Sequence, residues 1–225
     1  MHSPDSLYQQ LQKIGTSPAL TVYGEDRIEL SGKVLANHIA KIANFLVDEV
    51  ELEPGSRVVL DLPLHWKTFA WALAALVAGG NVVVGREKIA DAEPGTVVVT
   101  SRPHGIELDS GDTVVALPLG SLALSWAGEL DPGVYDGAAD VMSFPDSLLF
   151  SGLGDESNAS FYANAVPHVP QGRIGLVSPS VIEAISVGYS TLSSGNSLVI
   201  VGATSTADSI FATEHAESFT PPVRI

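Results

Sequence analysis

The chain contains one stretch of itself twice, and that repeat limits what it can fold into. Residues 54–84 read PGSRVVLDLPLHWKTFAWALAALVAGGNVVV, and residues 170–200 read PQGRIGLVSPSVIEAISVGYSTLSSGNSLVI. They align without a gap at a constant offset of 116 residues. Pro54, Arg57, Leu60, Pro63, Leu76, Gly79 and Val83 match Pro170, Arg173, Leu176, Pro179, Leu192, Gly195 and Val199. These are turn-making and apolar positions, so what is shared is a supersecondary unit. In each copy a short apolar run ends at a proline, a helical stretch follows, and a glycine stops it before a second apolar run. Strand, helix and strand with short connections make a parallel pair with a right-handed crossover.

The rest of the chain extends that pattern. Residues 6–14 predict a short helix. Residues 19–30, ALTVYGEDRIEL, predict a hairpin turning at Gly24-Glu25-Asp26. Ser31 can cap a helix over 34–50, where Leu35, Ile39, Ile42, Leu46 and Val50 recur at steps of three or four. Strands are expected at 58–62, 81–84, 96–100, 113–117, 147–150, 172–177 and 197–201. Helices are expected at 64–78, 157–165, 179–193 and 206–214. The second repeat helix is the weaker one, because Val187-Gly188-Tyr189-Ser190-Thr191 are poor helix formers that only tertiary packing can hold. The stretch 131–146, rich in Gly, Asp and Pro, reads as a boundary. It divides the chain into a first α/β subdomain, 1–135, and a second, 136–225.

Composition narrows the function. Acidic residues outnumber basic ones 26 to 11, for a net charge of −15. All five lysines lie at or before Lys88, and after Arg102 only Arg173 and Arg224 remain basic. Such a surface repels phosphate backbones and anionic lipids, so neither nucleic acid nor a membrane is an expected partner. Cysteine is absent, which excludes disulfides, thiolate nucleophiles and cysteine-ligated metals. The N-terminal MHSPDSLYQQL lacks a signal-peptide pattern, and Gly79-Gly80 interrupts the apolar run 66–84, so a cytoplasmic protein is the expectation.

The order ALTVYGEDRIELSGKVLANHIAKIANFL, VELEPGSRVVLDLP and a helix ending ALVAGGNVVVG resembles the start of the adenylate-forming (AMP-binding) superfamily. That group comprises acyl-CoA synthetases, nonribosomal peptide adenylation domains and luciferases. Its pattern there is "PALTYGDERLTYAEL", "LGVGPGDRVAL" and "LLPNSPEFVVALLAALKAGAVVVPL". VSPSVIEAISVGYSTLSSGNSLVIV likewise resembles the family's "LPLFHxxG…LLAGATVVL". The resemblance implies an α/β fold of two pseudo-repeated βαβ (Rossmann/flavodoxin-like) halves. Their mostly parallel sheets are covered by helices, as in the N-terminal subdomains of acyl-CoA synthetases.

The departures from that family shape the expected function. The family holds ATP phosphates with a loop of the type "TSGTTGKPKG", in which backbone N–H groups and a lysine face the phosphate. Here the equivalent stretch is Ser151-Gly152-Leu153-Gly154-Asp155-Glu156-Ser157. Ser151, Gly152 and Gly154 are the residues left to bind a nucleotide. The lysines are missing, and two carboxylates stand where a triphosphate would lie. The family histidine of "LPLFH" falls at Ile182. The "YGxTE"-type motif, the ribose-binding aspartate and the C-terminal catalytic lysine have no counterpart in these residues.

The resemblance therefore implies a truncated, degenerate scaffold without catalytic residues. It would bind a small or acyl-type ligand, or a partner chain or second copy, and needs no cofactor, although ATP or AMP with Mg²⁺ remains an open alternative. A ligase half completed by a second chain, and a structural or assembly subunit, are the other readings. Four further clusters have both a functional and an ordinary reading. His65-Trp66 reads as a ligand contact or a helix start, and Ser178-Pro179-Ser180 as an anion site or a helix cap. Ser101-Arg102-Pro103-His104-Gly105 reads as an anion loop or a solvated loop. His215 with Glu214 and Glu217 reads as a metal site or a surface cluster.

Overall fold

The computed structural model describes residues 3–107, 109, 111–120, 122–154, 162, 166, 168–202 and 206–221. The first part of the chain forms α1 (Pro4–Ile14), β1 (Pro18–Tyr23), β2 (Arg27–Ser31) and α2 (Gly32–Asp48). Next come β3 (Arg57–Asp61), α3 (Trp66–Val77), β4 (Asn81–Val84), β5 (Val97–Thr100), β6 (Thr113–Ala116) and β7 (Val134–Asp136). The last part forms β8 (Arg173–Val177), α4 (Val181–Ser193), β9 (Ser197–Val201), α5 (Ala207–Glu214) and β10 (Glu217–Ser218). Residues 54–84 and 170–200 contain β3-α3-β4 and β8-α4-β9, and each makes the expected parallel pair.

Two five-stranded sheets result. One has the order β4-β3-β5-β6-β7 and is parallel throughout. Its strands are Val-rich runs with little alternation, as buried parallel strands are. The other has the order β10-β8-β9-β1-β2, parallel except for the β1-β2 hairpin. Helices α1, α2, α3 and α4 pack on one another between the sheets, with α2 against β1 and β2 and α3 against β3 and β4. Helix α5 covers the far side of the second sheet, where Phe211 and Ala207 meet Val199 and Val201. This is the mixed α/β architecture expected, with mostly parallel sheets flanked by helices.

The sheets do not follow the division at residue 135. The hairpin, read as part of the first subdomain, pairs with β9 of the second repeat through Leu20–Leu198 to Tyr23–Val201. The stretch 131–146 contains β7, which closes the edge of the first sheet. Three residues are too few to show a strand period, and Tyr135 is fixed by edge-on packing against Phe45 at 5.5 Å.

One expected strand is absent. Residues 147–150 join no ladder. The buried amide of Asn44 on α2 holds this segment instead. Asn44 Nδ2 donates to the carbonyls of Pro145 and Ser147, and Oδ1 accepts from Leu149 N at 3.0 Å. The segment's backbone polar groups thus find a side chain rather than a strand. The helix expected over 157–165 lies outside the described residues, apart from Tyr162.

The weak helix α4 has its explanation in packing. A Cβ at Gly188 would overlap the Phe69 ring of α3, so the missing side chain is what lets the two repeat helices meet. In an isolated helix Ala outperforms Gly by about 0.5–1 kcal/mol. Here Gly188→Ala is expected to lower stability by about 1–3 kcal/mol, because the overpacking outweighs that gain. Urea unfolding measures the difference, and an unchanged or raised midpoint would refute this account of the contact.

Candidate functional site

A concavity lies where the first sheet's carboxyl edge approaches the hairpin. It has a volume of about 670 Å³, within the range of small-molecule sites. Helix α3 supplies Trp66, Lys67, Ala70 and Trp71, and α2 supplies His38 and Ile42. The turns after β6 and β7 add Leu117, Gly137 and Ala138, and β2 adds Ile28 and Leu30. The lining is mainly apolar. Leu122 and Leu124 line it and are 87% and 73% exposed, and Met142 is 52% exposed. Among the described residues, these large side chains stand exposed around the mouth.

Lys67 builds one wall. It stands in the first turn of α3, where the helix dipole disfavours a cation, and it is 7% exposed. Its ammonium offsets both costs by donating to three carbonyls: Pro118 at 2.8 Å, Gly120 at 2.9 Å and Ala123 at 3.1 Å. All three of its protons are used. The loop carrying Leu122 and Leu124 is therefore tied to the start of α3 by one charge. Burial pulls the Lys67 pKa below the usual lysine value, while Asp136 pulls it back up. Lys67→Met is expected to cost about 1–3 kcal/mol, because the carbonyls lose their donor. Hydrogen exchange should show the loss concentrated in residues 118–123, and uniform exchange would argue against this role.

Two histidines lie near that lysine. His65 caps α3 by accepting from Lys67 N at Nδ1. Burial, reinforced by the Lys67 charge, lowers its pKa to about 4. His38 packs on Trp66 at 5.1 Å and is lowered for the same two reasons, burial first. A base whose folded pKa is depressed stabilises the fold above its unfolded pKa. That contribution is lost as pH falls from about 6.5 towards 4. The loss at His65 is at most about 2–3 kcal/mol. His65→Asn keeps a capping acceptor and removes the titration, so it should flatten the acid limb of a stability–pH curve. An unchanged acid limb would place the sensitivity elsewhere.

The residues singled out from sequence fall as follows. Ser151 and Gly152 are exposed, and Gly152 N donates to Asp5 Oδ2 at 2.9 Å. A carboxylate of the chain thus takes that N–H. Gly154 packs on Pro4 too closely to accept a Cβ. Asp155, Glu156 and Ser157 lie outside the described residues. Ser180 forms a capping box with Glu183, and Ser178 Oγ donates to Gly202 O, so these hydroxyls serve the fold. Glu214 accepts from Arg27, Arg173 and Tyr23, and His215 ends α5 in the left-handed region. His104 Nδ1 lies 3.3 Å from Asp131 on the surface, while Arg102 reaches Asp61. His65 and Trp66 start α3, and Trp66 also lines the crevice. A ligand crevice between the halves was expected, but the residues lining this one were not read from sequence, since its walls come from separated stretches. The one local signal was a lysine inside an otherwise apolar helix.

No protein-family model matches the chain. Over 141 residues it is 34% identical to a protein of Mycobacterium tuberculosis (strain ATCC 25618 / H37Rv) described as a TIGR03089 family protein. That match covers 59% of this chain and 56% of the other, so the chain spans about half the length of the curated relative it matches. Among solved structures, the amide bond synthetase McbA from Marinactinospora thermotolerans superposes with a TM-score of 0.66 at 16% identity. The match covers 96% of this chain and 48% of that one. The Mycobacterium tuberculosis fatty acyl CoA synthetase gives 0.67 at 11%, covering 95% and 47%. The Klebsiella oxytoca NpsA N-terminal subdomain, in complex with anthranilyl-AMSN, gives 0.63 at 12%, covering 96% and 58%. The chain has the fold of the N-terminal part of the adenylate-forming enzymes.

Proposed function

We propose that this chain is a non-catalytic binding protein on an adenylate-forming scaffold, and that its crevice takes an acyl-type ligand. The observation that carries this is the cavity of about 670 Å³, walled by Ile28, Leu30, Ile42, Ala70 and Trp71 and bordered by exposed leucines. An alkyl chain gains about 0.8 kcal/mol for each methylene it buries there. The polar groups at the wall favour binding over chemistry. The Lys67 ammonium is fully committed to carbonyls. Among the described residues, neither His38 nor His65 hydrogen-bonds a carboxylate or hydroxyl that would activate it. The Gly152 N–H donates to the Asp5 carboxylate rather than standing open to a phosphate, which further supports a non-catalytic reading.

Two of the three tryptophans, Trp66 and Trp71, line the crevice, so intrinsic fluorescence reports on it. Titration with a saturated fatty acid series should give a saturable change that tightens with chain length. Ala70→Phe, which fills the cavity, should abolish it. A response independent of chain length, or one that survives Ala70→Phe, would place the ligand elsewhere. ATP-dependent release of pyrophosphate with a carboxylate substrate would overturn the non-catalytic part.

The coverage of about half of each matched chain keeps a second reading in view, in which a separate chain supplies the remaining parts of a ligase. Co-purification of a partner that confers adenylate formation would favour it.

A further inference from the structure

Two arginines converge on one buried carboxylate where the order of the parallel sheet reverses. Asp61 ends β3 and is 5% exposed. Its Oδ2 accepts from Arg86 Nη1 and from Thr100 Oγ1, each at 2.7 Å. Its Oδ1 accepts from Arg102 Nη2 at 2.9 Å. Arg86 follows β4, Thr100 ends β5, and Arg102 lies two residues beyond it. The neighbouring strands β4, β3 and β5 thus each send groups to one point at their carboxyl ends. The chain leaves β3 for β4 on one side and later places β5 on the other. This is the switch point beside which open α/β sheets bind ligands.

The charges do not balance. One guanidinium neutralises Asp61, and the second leaves the cluster one positive charge in excess. The side chains of Arg86 and Arg102 are 43% and 67% exposed. Each has five N–H donors and gives one nitrogen to Asp61. No other side-chain hydrogen bond or ion pair of either arginine is formed among the described residues. The obvious internal counter-ion is not used. The Glu87 carboxylate folds back over Gly85, where any Cβ would collide with it, and it pairs with neither arginine. Holding two free guanidinium faces together is unexpected in a chain of net charge −15.

The geometry points to an oxyanion-binding site here. It would take the phosphate or carboxylate group of a small ligand through the remaining N–H donors of Arg86 and Arg102. Arginine forks match both groups, and a shared buried carboxylate fixes their direction before the ligand arrives. Asp61 and Thr100 are positioning residues, and the two arginines make the contact. The site is built on β4, β3 and β5, not on the β6 and β7 turns of the apolar crevice. It stands or falls independently of acyl binding.

Isothermal titration of the full chain at low ionic strength, with inorganic phosphate and separately with acetate, tests it. Saturable binding of either anion is expected. Tighter phosphate binding would assign the ligand a phosphate group, and equal or tighter acetate binding would assign it a carboxylate. Arg86→Gln and Arg102→Gln should each weaken the preferred anion about tenfold or more. Glu87→Gln should tighten it, because a nearby like charge is removed. Arg102 is largely exposed, so its variant should remain folded, which a thermal melt checks. The absence of saturable heat with both anions would overturn the proposal. So would a lowered melting temperature in Arg102→Gln with anion affinity unchanged, which would make the cluster an ion pair serving the fold alone.

Discussion

Helix α3 is buried on every side, and the rest of the molecule is arranged to make that possible. All twelve of its residues are buried, including Lys67 and Thr68. A helix apolar around its whole circumference cannot rest on one sheet with its back to water. Strands β3 and β4 cover one flank, α2 another and α4 a third. Its first turn is closed by the loop that Lys67 draws in. The second sheet is placed by the same demand, since α2 and α4 bury their outer faces against β1, β2 and β9. Gly188 is where that demand is sharpest, because α4 approaches Phe69 only without a side chain there.

That arrangement leaves the crevice. The packed helices and the two sheets fill the centre but diverge at the carboxyl end of β6 and β7. The gap is lined by whatever faces inward there, which is mostly Trp, Leu, Ile and Ala. Charge is kept under control at this edge by pairing with oxygen, through carbonyls at Lys67 and a carboxylate at Arg86 and Arg102. Burial beside a fixed cation pulls the pKa of both histidines down. The crevice lining is thus mostly apolar, and two partly exposed arginines share one buried carboxylate at the switch point, on a chain of net charge −15.

Much of the fold was legible in the residues. The helix spacing from Leu35 to Leu46, the turn at Gly24-Glu25-Asp26, and the prolines and glycines around each repeat are local signals, and each produced the element they indicate. The failures share a cause. Residues 147–150 resemble a strand, but Asn44, about a hundred positions earlier, takes their hydrogen bonds. β7 and β10 have three and two residues, so they exist only because a neighbouring strand offers an edge. Nothing local to Gly152 indicates its contact, because the group that meets it is Asp5, far away in the sequence.

The sequence by itself determined the two βαβ units, their parallel sense and the class of the fold, because periodicity, capping and turn chemistry act over a few residues. Only the tertiary structure decided which sheet the hairpin joins. The same holds for where Lys67 finds three carbonyls and which carboxylate gathers Arg86 and Arg102. Those outcomes depend on side chains that meet across tens of residues, where burial and desolvation set the energy and sequence spacing carries no record of the contact.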